Sequence, residues 1–353
     1  MVADYNYLEI IGHVEDRDPT LNIHLIKVPH PPAPSYKTEE ISIKNGEVSL
    51  YGHLHSSKNG PHQTAIILVG GRGCYAGDTE YDLYAKVLRE NGISVLVFNK
   101  RGTGQSTGDC HAATMEDLAS DVRACHRFLK EHPHDYQNIG VLGSSAGGWV
   151  IAKAEEARIF DFMIGVVGPS TSVKDQQLQS MAYGLDFYEL SEVARKEIME
   201  YTDLMFEAKA DQKSFNRFEE LLEGAKQNGW FELLDDTDIP PSPAGIDSLW
   251  VRRHSYDPGP SLAAFDKPML AIYGQKDWIV PYEENIARLE DELFSGERSK
   301  LLKTVVAYAS EHGTEAEAKY VSLGENKSYW HFYRISPQVL IEIVDFLEKN
   351  GFL

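Results

Sequence analysis

The stretch Ile139-Gly140-Val141-Leu142-Gly143-Ser144-Ser145-Ala146-Gly147-Gly148-Trp149-Val150-Ile151-Ala152 decides the reading of this chain. Residues 139–142 form a short apolar run, as a strand buried on both faces does. From Ala146 the residue types suit a helix. Between them, Gly143-Ser144-Ser145-Ala146-Gly147 fits G-x-S-x-G, a sharp strand-to-helix turn. Small residues two positions either side of Ser145 avoid clashes in that turn. The hydroxyl is lifted out of the sheet and set at a helix N-terminus, where amides point at developing negative charge. Alone, the five-residue pattern is unspecific. The strand before it and the helix after it make Ser145 a candidate nucleophile.

Working outward, the same rhythm repeats. Ala65-Ile66-Ile67-Leu68-Val69 is an apolar run ending in Gly70-Gly71. Tyr81 to Glu90 has helical spacing and stops at Asn91-Gly92. Ile93 to Phe98 reads as a second buried strand, and Met115 to Lys130 as a helix. Upstream, Ile41 and Ile43 alternate, then Asn45-Gly46, then Val48 and Leu50, a strong hairpin signal. Strands alternating with helices predict an α/β fold with a mostly parallel central sheet, its site at the carboxyl ends of the strands.

The rhythm breaks at about Thr171. Residues 171–257 read as mostly amphipathic helix and are expected to form a helical cap. The α/β pattern resumes at Pro268-Met269-Leu270-Ala271-Ile272-Tyr273, followed by a helix through Arg288, a strand near Lys303 to Tyr308 and a final helix from Pro337 to Lys349. Residues 37–170 and 258–353 are thus expected to form the core. Residues 1–36 read as an N-terminal extension, with one weak strand at Leu21–Ile26 and a linker over Pro29, Pro31, Pro32 and Pro34.

A serine nucleophile needs a base, and the base needs an orienting acid. The acid is expected just beyond a strand after the cap, and Asp277 in Tyr273-Gly274-Gln275-Lys276-Asp277 fits. Of 13 histidines, only His312 and His331 follow Asp277. His312 lies in the loop after the last strand. His331 sits in the aromatic run Tyr329-Trp330-His331-Phe332-Tyr333 and reads better as packed near the final helix. His312 is therefore favoured as the base. The oxyanion donors are expected to be the amides of Ala146 and of a residue in Gly70-Gly71-Arg72-Gly73, with Arg72 chosen.

Composition sets the outer limits. The 353-residue chain is 42% hydrophobic and 25% charged, with 34 basic and 54 acidic residues and a formal charge of −20. An acidic surface repels phosphate backbones, so nucleic acid is not an expected partner. No apolar run approaches a membrane span. The N-terminus lacks a basic region followed by an apolar one. Cys74, Cys110 and Cys125 are far apart and suggest neither a disulfide framework nor a zinc site. These features predict a cytoplasmic protein, and the serine chemistry expected above needs no metal or organic cofactor. The composition is also compatible with a homo-oligomer.

Four segments carry a family resemblance: Leu68-Val69-Gly70-Gly71-Arg72-Gly73, Asn99-Lys100-Arg101-Gly102-Thr103-Gly104-Gln105-Ser106-Thr107-Gly108, Leu142 to Gly148, and Tyr273 to Pro281. The sequence resembles bacterial carboxylesterases of the α/β-hydrolase superfamily, near the dienelactone-hydrolase and prolyl-oligopeptidase-like branches. The resemblance implies a catalytic triad of Ser145, Asp277 and His312 acting on small to medium carboxylic esters. It departs from the family at Gly70-Gly71, where His-Gly is usual. It also implies that Lys100 to Ser106 hold neighbouring loops without catalytic duty. A peptidase, amidase, thioesterase or acyltransferase using the same three residues is the alternative, as is a homologue that binds ligand without turnover.

Overall fold

The structure is a computed structural model that describes residues 8–15, 18–27, 36–57, 63–77, 81–314 and 336–353. Strands β1 (Leu8–Glu15) and β2 (Asp18–Lys27) pair antiparallel as a separate two-stranded sheet. The anticipated strand at Leu21–Ile26 lies within β2. The partner β1 was not legible in the sequence. The proline linker and His331 lie outside the described residues.

The main sheet has eight strands: β3 (Tyr36–Asn45), β4 (Val48–Ser57), β5 (Thr64–Val69), β6 (Ser94–Phe98), β7 (Asn138–Ser144), β8 (Met163–Val166), β9 (Met269–Gly274) and β10 (Leu302–Ala307). Their spatial order is β10-β9-β8-β7-β5-β6-β4-β3. β3 and β4 form the hairpin signalled by Asn45-Gly46, with Asn45 opposite Val48 and Gly46 at φ +58°. β4 also runs antiparallel to β6, and the remaining pairings are parallel. The α/β expectation therefore holds. β8 was missed because it is four residues long and carries Gly165.

Alternation along the buried strands divides the core between the two sheet faces. Ile66, Leu68, Val95 and Val97 pack on one face with helices α1 (Asp82–Glu90) and α7 (Pro337–Lys349). Ile67, Val69, Leu96 and Val141 pack on the other with α2 (Met115–Lys130) and α3 (Gly147–Glu155). A reciprocal capping box between Thr114 and Asp117 starts α2. Three longer helices lie between β8 and β9: α4 (Val173–Phe187), α5 (Glu192–Glu207) and α6 (Gln212–Asn228). Short helical turns then lead through Trp250 to β9.

The cysteines depart from expectation. Cys74 and Cys110 form a disulfide across a sequence separation of 36. Their sequence spacing hid the pair, which the return of the loop after β6 toward the loop after β5 brings together. With that bond present, the cysteines no longer argue for a reducing compartment. Cys125 is the buried free thiol. Among the described residues, no helix is long and apolar enough to cross a membrane.

Candidate active site

Four loops at the carboxyl ends of β5, β7, β9 and β10 meet at one place. Ser145 follows β7 directly, at φ +50°. This left-handed conformation is costly for a residue with a side chain. Two things hold it. The Ser145 amide donates to the Val166 carbonyl at 2.9 Å, and the Gly148 amide donates to the Ser145 carbonyl at 2.8 Å. The glycines of the motif allow the close approach. A Cβ on Gly143 would stand 2.6 Å from the Gly147 carbonyl oxygen, and one on Gly147 would stand 2.5 Å from that of Val69.

His312 Nε2 lies 2.9 Å from Ser145 Oγ, and His312 Nδ1 lies 2.9 Å from Asp277 Oδ2. A carboxylate here accepts, so the ring's Nδ1–H points to Asp277 and Nε2 accepts the serine proton. Asp277 is buried, and its other oxygen accepts from the amides of Ile279 and Val280, both at 2.9 Å. The loop carrying His312 is pinned to the loop carrying Asp277. Lys276 N–H donates to the Ser310 carbonyl, and Ala309 N–H donates to Gln275 Oε1. The structure thus brings together all three residues chosen from the sequence.

The expected oxyanion loop is also adjacent. A Cβ on Gly71 would lie 3.0 Å from Ser145 Cβ. The Gly71 amide donates to Tyr81 Oη at 3.4 Å. Neither the Arg72 nor the Ala146 amide has an acceptor among the described residues. Unpartnered amides on the residue after Ser145 and in the glycine loop packed against it suit a developing oxyanion.

The loop-holding role that the resemblance implies for Lys100 to Ser106 falls on this loop. Lys100 Nζ donates to the Gly71 carbonyl and, at 2.7 Å, to the Gly73 carbonyl. It also lies 4.5 Å from the centre of the Tyr75 ring. In a trans peptide the C=O and the next N–H point in opposite directions. With the Gly71 carbonyl turned to Lys100, the Arg72 N–H is directed away from Lys100. The Arg72 side chain reaches the other way. Its guanidinium donates to Thr237 and to Asp238, the latter at 2.8 Å, and lies 4.5 Å from the centre of a Trp250 ring. Trp250 stacks in turn on His254, whose pKa burial pushes down to about 4. The sequence did not show which carbonyls Lys100 meets or that Arg72 reaches Asp238, because each partner is distant in sequence.

The site opens into a cavity of about 610 Å³. Its floor includes Ser145, Ala146, His312 and Arg72. Its roof comes from α4 and the segment around Leu233 to Trp250, with Trp278 beside them. No group of residues suited to a metal ion occurs among the described residues.

Residues 60–220 match a family model described as serine aminopeptidase, S33. A proline iminopeptidase from Mycobacterium smegmatis is similar in structure, with a TM-score of 0.57 at 14% identity over 88% of this chain and 98% of that one. A proline iminopeptidase-related protein from Thermus thermophilus gives 0.54 at 17% identity, covering 90% of this chain and 100% of that one. An esterase from Pyrococcus furiosus gives 0.53 at 17% identity, covering 89% and 92%. Among curated proteins no sequence matches. The chain has the α/β-hydrolase fold.

Proposed function

We propose that this protein is a serine hydrolase that cleaves carboxylic esters through an acyl-enzyme on Ser145. The chain of hydrogen bonds from Ser145 Oγ through His312 to Asp277, with each step at 2.9 Å, is the observation that carries this reading. His312 takes the serine proton as Oγ attacks the ester carbonyl. The amides of Arg72 and Ala146 receive the oxyanion. His312 then protonates the leaving alcohol, and a water deprotonated by His312 releases the acid. Asp277 fixes the imidazole tautomer and stabilises the imidazolium. Residues 171–257 act as the cap that closes the cavity over this machinery. The test is turnover of p-nitrophenyl esters, which Ser145→Ala should abolish and which wild-type turnover in that variant would contradict.

The family match and the iminopeptidase neighbours favour a second reading, an aminopeptidase with the same triad. Capture of a free amino terminus calls for an available carboxylate. The two aspartates that line the cavity, Asp235 and Asp238, face Arg72 at 3.7 and 2.8 Å. Asp235 also accepts from Thr237. These engagements support the ester reading. A panel of esters, amino-acid anilides and thioesters separates the two.

A further inference from the structure

The face that α4 turns inward carries polar residues where apolar ones would serve stability. Gln176, Gln177, Ser180 and Met181 are all buried. Their spacings place them on one side of the helix. Gln176 spends its amide on the Ile279 carbonyl. Gln177 and Ser180 are 5% and 4% exposed, and neither side chain has a hydrogen-bond partner among the described residues. Both line the cavity that holds Ser145 and His312. A buried polar group left unsatisfied keeps the full cost of losing its water. Their polar atoms are not sealed in the core, so the surface they retain opens to the cavity.

The rest of the lining narrows the ligand. Trp149, Met181, Leu233 and Trp278 supply apolar walls. The cavity's guanidinium, Arg72, is held by Thr237 and Asp238, so it is not offered to a carboxylate. An uncharged ligand with an apolar or aromatic body and one hydrogen-bonding substituent fits this set of groups.

We infer that Gln177 and Ser180 form a polar specificity subsite on the cap, which selects uncharged esters bearing a hydroxyl, carbonyl or amide group away from the scissile bond. The inference rests on the serine-hydrolase reading above. Gln177 offers an amide donor and acceptor, and Ser180 a hydroxyl one turn along the helix. A site built to pair such a substituent rejects the analogue lacking it, because its own polar groups are then left unpaired.

Matched substrates test this. The acyl pair is phenyl 4-(hydroxymethyl)benzoate and phenyl 4-methylbenzoate. The alcohol pair is 4-(hydroxymethyl)benzyl acetate and 4-methylbenzyl acetate. Phenyl 4-carboxybenzoate serves as the anionic control. Wild type should prefer the hydroxylated member of one pair by roughly 10-fold or more in kcat/KM and should disfavour the anion. In the double variant Gln177→Leu/Ser180→Ala that ratio should collapse toward 1, with turnover of the methyl analogue within about 3-fold of wild type. Its melting temperature should hold or rise, whereas a purely structural role predicts a fall. No preference in wild type, or a ratio that survives the double substitution, would overturn the subsite. Labelling of Ser145 by a fluorophosphonate separates the outcomes. Labelling with an unchanged ratio sinks the subsite alone, while absent labelling and absent turnover sink the hydrolase reading with it.

Discussion

The floor and the roof of the cavity are built on different principles. The floor comes from strand ends. Ser145, Asp277 and His312 each stand just beyond a sheet strand, and backbone hydrogen bonds fix each loop. The roof comes from helices whose inward face is partly polar and whose contacts to the floor run through single side chains such as Arg72. On the proposed function, the chemistry rests on backbone geometry and the selectivity on side chains. Changes to the floor should cost orders of magnitude in rate, and changes to the roof should redirect it.

The sharpest way to break that contrast is at the base. His312→Ala should lower kcat by about 10⁶-fold with the fold intact, since the residual rate then comes from the oxyanion amides and binding alone. A fall of only a few-fold, with the melting curve unchanged, would remove His312 from its role. Next comes the loop brace. Lys100→Met removes the ammonium from the Gly71 and Gly73 carbonyls and frees the Arg72 amide to turn. We expect kcat to drop on the order of 10–100-fold with KM little changed, less than full loss of an oxyanion donor. Lys100→Gln, which keeps a donor, should recover part of the loss. An equal rise in KM with kcat intact would place Lys100 in substrate binding instead.

Legibility in the sequence followed the same division. The proposed triad could be chosen because its residues lie at strand ends, and strand ends are marked by short apolar runs that stop at glycine. The hairpin at Asn45-Gly46 and the helices at 115–130 and 337–349 were legible for similar local reasons. The resemblance pointed to Lys100 as a loop-holding residue, but its contacts with the Gly71 and Gly73 carbonyls exist only because the loop after β6 folds back against the loop after β5. The Cys74–Cys110 bond depends on the same fold-back. Gln177 and Ser180 were hidden differently. Polar residues on an amphipathic helix read as its solvent face, and only the packing shows that they point inward.

Two smaller effects sharpen the comparison. Replacing the disulfide by Cys74→Ser/Cys110→Ser removes a cross-link over 36 residues. By chain entropy alone this should cost about 3–4 kcal/mol in unfolding free energy. Because the bond sits beside the oxyanion loop, activity should fall more than in cap variants of equal stability. Denaturant unfolding alongside ester assays checks both points. The smallest effect concerns Glu155 at the end of α3. Its carboxylate accepts from the Ile159 and Phe160 amides, yet burial raises its pKa to about 6. A raised carboxyl pKa means the folded state holds the proton longer than the unfolded one. Its contribution to stability is full below the ordinary carboxyl range and is lost as pH rises through about 6. Glu155→Gln should flatten that part of the stability profile. An unchanged slope between about pH 4.5 and 7, measured by denaturant titration, would contradict the assignment.

The central claim is that Ser145 is the nucleophile, and intact-mass analysis after incubation with a fluorophosphonate tests it most directly. The geometry predicts one adduct on wild type, localised to the peptide holding Ser145, no adduct on folded Ser145→Ala, and slow labelling of His312→Ala. Labelling that persists in Ser145→Ala, or a catalytically active wild type that resists the probe, would contradict it.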